Sequence, residues 1–118
     1  MRDDRILLER VIEYCEDIKS DVDRFGNDQD DFVGDESYQR SCCMSLMQIG
    51  ETVNRLSDEL IASHKDVEWI SIIGFRNIVA HRYETVTPDR LWDIIIEDVP
   101  KLKSDCKRIL ADKKDITV

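Results

Sequence analysis

The segment from Arg76 to Tyr83 holds the side chains best suited to chemistry in this chain. A permanent cation (Arg76), a carboxamide (Asn77), an imidazole (His81) and a phenol (Tyr83) lie at the end of an otherwise apolar run. Buried helices rarely admit such groups unless the groups have a partner or a task. Because Arg binds phosphate and His transfers protons near neutral pH, the combination indicates chemistry on a phosphodiester.

Helical spacing decides which of these groups can meet. Asn77 and His81 are four residues apart and share a helix face, so Asn77 could orient the imidazole. Arg76 and His81 are separated by about 140° around an ideal helix axis. We therefore expect them to converge only if the helix ends or distorts near His81, or if a second subunit completes the site. The geometry favours a composite site across a dimer.

The chemistry that these residues suggest is cleavage of RNA without a metal ion. His81 would remove a proton from a ribose 2′-hydroxyl or protonate the leaving 5′-oxygen, and two symmetry-related copies could divide these steps. Arg76 would stabilise the negative charge that develops on the phosphate. The product would be a cyclic phosphate. The sequence contains no clustered acidic metal motif, and we expect neither a metal nor an organic cofactor.

Each of these residues also has a purely structural interpretation. Arg76 could be a core cation paired with an acid such as Glu51 on the second predicted helix. His81 could be a cation at the negative end of a helix dipole, and Tyr83 could cap the core. His64 has no helical partner of a suitable type, and we expect it at the surface near a helix end. Only the combination of residues favours the functional interpretation.

Composition indicates a single intracellular domain. The chain has 118 residues, with only four Gly and two Pro, and this length allows one domain with a real core. The charged N-terminal segment does not resemble a signal peptide, and no apolar run is long enough to span a membrane. We therefore expect a soluble, cytoplasmic protein. The cysteines lack zinc-ligand spacing and are expected to be small core residues: Cys15, Cys42, Cys43 and Cys106.

The net charge of −9 lies wholly in the first half of the chain. Residues 1–60 carry 16 acids against 7 bases, whereas residues 61–118 carry 10 of each. This composition disfavours a general nucleic-acid binder. It fits a protein that docks on a basic partner surface, or one that contacts RNA through a small patch.

Helical periodicity extends along nearly the whole chain and predicts an all-α fold. The predicted main helices cover about residues 3–25, 36–62, 67–81 and 88–112, with Gly26 and Asn27 as stop signals after the first helix and a loop over 28–35. The chain is therefore predicted to form one helical domain over residues 1–112. The tail over residues 113–118 is predicted to be frayed.

Single residues mark the predicted helix ends and crossings. Asp66 is the expected cap of the third helix, and Thr87 before a proline is a start signal for the fourth. Pro100 should remove one backbone hydrogen bond and kink the fourth helix. Interior glycines at Gly50 and Gly74 indicate close approach of another helix. The third helix is apolar on nearly all sides, and we expect it to be the most buried.

Several segments of the chain match the pattern of one known family. The motif Arg76-Asn77-x3-His81-Arg82-Tyr83 resembles the R-x4-H-x-Y signature of HepT-like toxins, a branch of the HEPN ribonuclease superfamily. Supporting similarities cover most of the chain: Ile49-Gly50-Glu51, Arg55-Leu56-Ser57, the approach from Trp69 to Phe75, and Asp98-Val99-Pro100.

This resemblance implies an antiparallel bundle of about four or five helices that forms a homodimer with the motifs facing each other. It implies a metal-independent endoribonuclease of a type VII toxin–antitoxin system, with Arg76 and His81 as catalytic residues and Asn77 in support. The implied antitoxin is a small MntA-type nucleotidyltransferase that transfers AMP from ATP to Tyr83. We also expect Glu51 to hold Arg76 from the second helix.

Two alternatives stay open at the level of sequence. One is a non-catalytic binding module that serves a nucleotidyltransferase, which the acidic first half favours. It predicts no RNA cleavage by the pure protein. The other is a helical dimer whose Arg–His segment is only structural, so that mutation of Arg76 lowers stability without a functional loss of its own.

Overall fold

The computed structural model describes residues 2–112, and all regular structure within them is helical. The elements of this range are α1 (Arg2–Phe25), α2 (Gln29–Val33), α3 (Glu36–Val53), α4 (Asp58–Ser63), α5 (Trp69–Ile73), α6 (Phe75–Ala80), α7 (Pro88–Asp93), a π-helical turn (Ile94–Asp98) and α8 (Val99–Ala111). The predicted all-α class is therefore confirmed, whereas the predicted frayed tail lies outside the described residues. No helix among residues 2–112 combines the length and the apolar character needed to cross a membrane.

The core forms where α1 packs against α3 and α8. Leu8 on α1, Leu46 on α3 and Ile109 on α8 are all fully buried, as the helical spacing of their apolar neighbours predicts. On its other side α3 packs against α5 and α6. The helix α1 ends where Gly26 adopts a φ of 127°, a conformation that favours glycine. The predicted stop signal at Gly26 is therefore confirmed.

An aromatic cluster orders the segment that the sequence indicated to be a loop. Residues 28–35 contain the short helix α2, whose Phe32 is fully buried. The ring of Phe32 lies 4.9 Å from that of Tyr38 and 5.5 Å from that of Trp92, centroid to centroid. The Tyr38 hydroxyl donates a hydrogen bond to the carbonyl of Gly26 at 2.8 Å. Burial of these rings stabilises a helical turn that the acidic local sequence alone does not indicate.

The predicted second helix over residues 36–62 is broken into α3 and α4. Ser57 caps α4, because its Oγ accepts a hydrogen bond from the backbone amide of Leu60 at 3.2 Å. Its own amide and hydroxyl donate to the Asp4 carboxylate at 2.9 and 2.6 Å. The row of apolar residues at helical spacing on α3 continues through the break, since Leu56 and Leu60 are still buried. Periodicity therefore located the buried residues correctly but missed the capping contact that interrupts the helix.

The predicted third helix over residues 67–81 is interrupted at Gly74 and is less buried than expected. A methyl group at Gly74 would lie 3.1 Å from the carbonyl oxygen of Ser71, on the preceding turn. The prediction of a helix crossing at Gly74 is therefore wrong. The side chain of Ile70 is 87% exposed, because α5 and α6 lie on the outside of the bundle against α3.

Two polar residues near the start of α5 do not have their predicted roles. Asp66 does not cap the helix, since the N-cap position is Glu68 and Asp66 pairs with Arg108 at 2.8 Å. His64 does lie at the end of α4, but it is buried rather than at the surface. Its backbone carbonyl accepts a hydrogen bond from the Trp69 indole at 2.9 Å. The ion pair of Asp66 with Arg108 on α8 and the burial of His64 both depend on tertiary packing, which the local sequence does not indicate.

The last helical stretch begins as predicted, and its hydrogen-bond pattern changes before Pro100. The Thr87 hydroxyl accepts a hydrogen bond from the Arg90 amide at 3.3 Å, which caps α7. A π-helical turn over Ile94–Asp98 then precedes Pro100, and at its end the Val99 amide donates a hydrogen bond to the carbonyl of Ile94. Because proline cannot donate a backbone hydrogen bond, the wider turn accommodates it within a continuing helix.

The cysteines are buried and unpaired, as predicted: Cys15, Cys42, Cys43 and Cys106. Burial raises the pKa of the Cys15 thiol to about 12, and it raises the pKa of the other three thiols as well. These thiols therefore stay protonated at neutral pH and act as small apolar core groups.

Candidate functional site

Arg76 stands in the first turn of α6, at the close crossing with α3. A methyl group on Gly50 of α3 would lie 2.8 Å from Cγ of Arg76 and 3.3 Å from its backbone nitrogen. The predicted role of Gly50 in close helix approach is therefore confirmed. At the next position of α3, Oε1 of Glu51 lies 3.3 Å from Nη1 of Arg76. The crossing thus holds both the backbone and the side chain of Arg76 in place.

The pair of Arg76 and Glu51 lies at the surface. The side chains are 36% and 52% exposed, respectively. The predicted contact is confirmed, but the interpretation of Arg76 as a core cation is wrong. An exposed ion pair contributes little stability. One terminal nitrogen of Arg76 faces Glu51, and the guanidinium carries further donors that can face solvent or a bound anion.

His81 lies at the point where α6 ends. The residue has left helical geometry, with φ −106° and ψ 15°. Its carbonyl accepts hydrogen bonds from the amides of Glu84, Thr85 and Val86 at 3.0, 2.9 and 3.2 Å. A tight turn thus follows, and the imidazole is 56% exposed. The condition that the helix ends near His81 is therefore met.

The predicted orientation of the imidazole by Asn77 is not seen as a side-chain hydrogen bond, and the supporting role of Asn77 stays a prediction. The amide of His81 bonds to the backbone carbonyl of Asn77 at 3.0 Å, but among residues 2–112 no side-chain hydrogen bond joins the two. Nδ1 of His81 instead lies 3.6 Å from Oε2 of Glu84. Within the same range, no hydrogen bond joins Arg76 to His81. The chain by itself places the cation and the imidazole on one short segment without a hydrogen bond between them.

Tyr83 belongs to a cluster that joins the turn after α6 to the start of α3. Its hydroxyl donates a hydrogen bond to Oε1 of Glu36 and accepts one from Nη2 of Arg82. The same nitrogen of Arg82 donates to Glu36 at 2.9 Å. The Arg82 guanidinium also lies 4.0 Å from the centre of the Tyr83 ring. We call these three residues the Glu36–Arg82–Tyr83 cluster.

The cluster has an inner and an outer part. The side chain of Arg82 is only 7% exposed, whereas Tyr83 is 72% exposed. The hydrogen bond to Glu36 raises the pKa of Tyr83, because the carboxylate stabilises the neutral phenol. The same bond, together with Arg82, lowers the pKa of Glu36. At neutral pH the cluster therefore holds a neutral phenol beside an ionised carboxylate and a cation.

Other parts of the described chain offer less to chemistry. A groove of about 540 Å³ runs between α1 and α8 past residues such as Ile18 and Pro100, but no residue of the Arg76–Tyr83 segment lines it. Among residues 2–112, no three His, Cys, Asp or Glu side chains are grouped in a way that could hold a metal ion. The candidate site therefore consists of the segment and its acidic partners on α3.

Comparison with known proteins assigns the chain to a family. Residues 7–109 match the family described as Ribonuclease HepT-like. The chain belongs to this HepT-like ribonuclease family. Because the match covers most of the described helices, it includes both the Arg76–Tyr83 segment and its partners on α3. No solved structure gives a significant match.

Individual relatives of this HepT-like chain carry consistent names. Two are named "Putative RNase": one from Caldanaerobacter subterraneus subsp. tengcongensis, 33% identical over 97% of this chain and 100% of the relative, and one from Methanocaldococcus jannaschii, 31% identical over 94% of this chain and 90% of the relative. A third, from Thermococcus cleftensis, is named "Probable ribonuclease HepT" and is 26% identical over 68% of this chain and 73% of the relative.

The sequence did not point to two residues of the site in this HepT-like chain. Arg82 lies inside the motif, but its position next to His81 gave no sign that its side chain turns inward. Glu36 is 47 residues from Tyr83 along the chain, and it is one acid among many in the first half. Its place at the first position of α3 is the one local signal, since acids are favoured at helix N-termini. Only the packing of α3 against α6 brings the cluster together.

Proposed function

We propose that this HepT-like protein is the endoribonuclease toxin of a type VII toxin–antitoxin pair. The observation that carries the proposal is the placement of an exposed His81 and a surface Arg76 on one short segment beside the α3 crossing. The names of the relatives, which describe them as RNases, support the same reaction class. The substrate is RNA, and the activity requires no metal.

The proposed reaction uses the two motif residues for different tasks. His81 transfers a proton to or from the reacting oxygens, for which its exposure at the helix end leaves room. Arg76 stabilises the charge that develops on the phosphate. Glu51 positions Arg76, because it holds Nη1 and leaves the other donors available. The 2′-hydroxyl attacks the phosphate, and the products are a cyclic phosphate and a free 5′-hydroxyl.

The proposed site is completed by a second copy of the chain. Among residues 2–112 of one chain, no hydrogen bond joins Arg76 to His81, and α6 ends at Ala80, directly before His81. Ile70 on α5, six residues before Arg76, is 87% exposed, and an interface between copies that covers it would bury apolar surface. In a symmetric dimer, Arg76 of one subunit and His81 of the other act on the same phosphate.

The proposed regulation acts on Tyr83. An MntA-type nucleotidyltransferase transfers AMP from ATP to its hydroxyl and thereby neutralises the toxin. The side chain is 72% exposed, so an enzyme can reach it. The attached AMP adds bulk and negative charge two residues beyond His81, which repels RNA from the site.

Removal of either catalytic side chain tests the proposed reaction. We expect Arg76→Ala and His81→Ala each to lower the rate of RNA cleavage by at least about 10²-fold, with wild-type cleavage unaffected by EDTA. Arg10→Ala is the matched control, because Arg10 is an exposed arginine on α1. Cleavage is measured on a fluorescent oligoribonucleotide, and circular dichroism checks the fold. Full cleavage by His81→Ala would refute its catalytic role. Absence of cleavage by the wild-type protein would instead favour a binding module.

Mixing the two inactive variants tests whether the site is shared between subunits. In a mixed dimer of Arg76→Ala with His81→Ala, one composite site keeps an intact Arg76 and an intact His81. Subunit exchange should therefore restore roughly a quarter of the wild-type site number. The measurement is cleavage before and after incubation of the mixture under conditions that exchange subunits. No recovery, with exchange verified by mass spectrometry, would contradict a site built from one Arg76 and one His81 across the dimer.

A further inference from the structure

The hydroxyl of Tyr83 lies between a carboxylate and a guanidinium. It donates to Glu36 and accepts from Arg82, and Arg82 in turn holds Glu36 at 2.9 Å. A nucleophile that contacts a base, with the base oriented by a third group, is the usual arrangement of an activated nucleophile. Here the nucleophile is 72% exposed, while the orienting arginine is almost buried.

We infer that Glu36 is the proton acceptor that activates Tyr83 for nucleotidyl transfer, with Arg82 as the residue that positions both. The inference rests on the proposed function, in which Tyr83 accepts AMP. It adds that the acceptor protein supplies its own base, so that the transferase does not have to provide one. No residue of the RNA-cleaving pair takes part in this step.

The step balances as a phosphoryl substitution. The phenol oxygen of Tyr83 forms a bond to the α-phosphorus of ATP, and the bond from that phosphorus to the bridging oxygen of the β-phosphate breaks. Pyrophosphate leaves with the electron pair of the broken bond. The phenol proton moves to the Glu36 carboxylate, along the hydrogen bond that already joins the two groups. Arg82 donates to the same phenol oxygen and stabilises the negative charge that develops as the proton departs.

The protonation states of the cluster agree with this role. The pKa of Tyr83 is raised by the Glu36 hydrogen bond and by partial desolvation, while Arg82 and Arg40 oppose this shift. The phenol is therefore neutral near pH 7 and needs a base at the moment of attack. The pKa of Glu36 is lowered, chiefly by the Tyr83 hydrogen bond and by Arg82, so the carboxylate is ionised and able to accept a proton.

A purely structural role accounts for the pairing of Glu36 with the almost buried Arg82, but it accounts less well for the contact of Glu36 with Tyr83. A contact whose hydroxyl partner is 72% exposed adds little to stability, because water can replace it. The ordering of an exposed phenol against an acid and a cation instead has a chemical consequence, since it fixes the nucleophile before the transferase arrives.

The first measurement follows AMP transfer by intact mass spectrometry. Full-length protein is incubated with an MntA-type nucleotidyltransferase and ATP, and the gain of one adenylyl group is timed. We expect Glu36→Gln, which keeps the shape but accepts no proton, to slow the gain by about 10²-fold. Asp58→Asn is the matched control, because Asp58 is an exposed acid at the first position of α4. It should match the wild type, and Tyr83→Phe should gain no mass.

The second measurement needs no transferase. N-acetylimidazole acylates accessible phenols, and peptide mapping reports Tyr83 separately from Tyr14 in the same sample. Near pH 7 we expect Tyr83 to be acylated more slowly in the Glu36→Gln variant than in the wild type, because the base is lost. Near pH 10 the order should reverse, because removal of the carboxylate lowers the pKa of Tyr83 and releases more phenolate. A structural contact alone would produce no such crossover.

The outcomes separate this inference from the proposed function. Equal transfer rates and equal acylation profiles for wild type and Glu36→Gln would overturn the role of Glu36, even if Tyr83 is the acceptor. A gain of AMP by Tyr83→Phe would overturn the proposed acceptor instead. If the wild type gains no AMP, the proposed regulation fails, and the acylation crossover still decides whether Glu36 activates Tyr83.

Discussion

Two contacts between an acid and a hydroxyl join distant parts of this chain, and they differ in their surroundings. The carboxylate of Asp4 accepts two hydrogen bonds from Ser57, at 2.6 and 2.9 Å. The carboxylate of Glu36 accepts one from the hydroxyl of Tyr83. Asp4 is only 2% exposed, whereas Tyr83 is 72% exposed.

The difference shows which contact holds the fold and which is available for chemistry. A buried donor that loses its acceptor pays the full cost of its lost hydration, so the contact of Asp4 with Ser57 is expected to stabilise the native state. Water replaces the lost partner at an exposed contact, so the hydrogen bond of Tyr83 with Glu36 contributes little to stability. Similar groups thus serve the fold in one place and the proposed regulation in the other.

Loss of the buried contact should have the largest effect on stability. We expect Asp4→Ala to lower the free energy of unfolding by about 2–4 kcal/mol, because two donors of Ser57 lose a charged acceptor. The measurement is urea denaturation followed by circular dichroism. Asp3→Ala is the matched control, since both acids lie in the first turn of α1 and Asp3 is exposed. Their difference removes the contribution of the helix dipole.

The comparison would be contradicted if the buried contact and the exposed contact contributed equally to the free energy of unfolding. Equal destabilisation by Asp4→Ala and Asp3→Ala would show that the contact with Ser57 does not anchor α1. A loss of stability in Tyr83→Phe as large as that in Asp4→Ala would show that the exposed hydroxyl contact also supports the fold. We expect instead that Tyr83→Phe, which removes only this contact, leaves the unfolding midpoint unchanged.

Gly50 lies where the fold and the candidate site meet, and its substitution should have the next largest effect. A methyl group there would lie 2.8 Å from Cγ of Arg76 and 3.2 Å from the carbonyl oxygen of Ile73. The helices must separate, and we expect Gly50→Ala to cost a net of about 1–2 kcal/mol despite the better helix propensity of alanine. RNA cleavage should fall as well, because Arg76 moves.

Gly34→Ala is the control for this substitution. Its added methyl group would lie at an ordinary 3.4 Å from the carbonyl oxygen of Asp30, so stability and cleavage should stay as in the wild type. If Gly50→Ala were equally harmless, the close crossing would not be what positions Arg76.

Sequence alone predicted the fold class and the main helices because both depend on local periodicity. The stripe that includes Leu8 on α1 and the seam that includes Leu46 on α3 repeat at helical spacing, and both residues are buried. The stop at Gly26 and the cap at Thr87 were also predicted, since each acts on its own helix end. The contact of Arg76 with Glu51 followed from the expectation that an acid on the second helix holds the motif arginine.

The features that sequence could not predict depend on contacts between distant residues. The break before α4 depends on Asp4, which lies 53 residues from Ser57 along the chain. The formation of the short helix α2 depends on the packing of Phe32 against Trp92. The exposure of Ile70 could not be predicted either, because its segment is apolar on nearly all sides. Only the position of α5 on the outside of the bundle leaves this side chain exposed.

Substitution of Glu51, the partner of Arg76, should cause the smallest change in stability and a clear change in the rate of RNA cleavage. Glu9 and Arg5 form a matched pair on α1, 3.4 Å apart and 53% and 47% exposed, against 52% and 36% for Glu51 and Arg76. We expect Glu51→Gln and Glu9→Gln each to change the free energy of unfolding by less than about 1 kcal/mol.

Only Glu51→Gln should slow RNA cleavage, by about tenfold, because a loosely held guanidinium spends less time where it can meet the phosphate. The measurement compares cleavage rates of both variants at equal concentrations of folded protein. Equal rates would mean that Arg76 is positioned by the Gly50 crossing alone and that Glu51 is only a neighbour. A selective loss in Glu51→Gln would place this exposed pair with the Glu36–Arg82–Tyr83 cluster, among contacts that serve the site more than the fold.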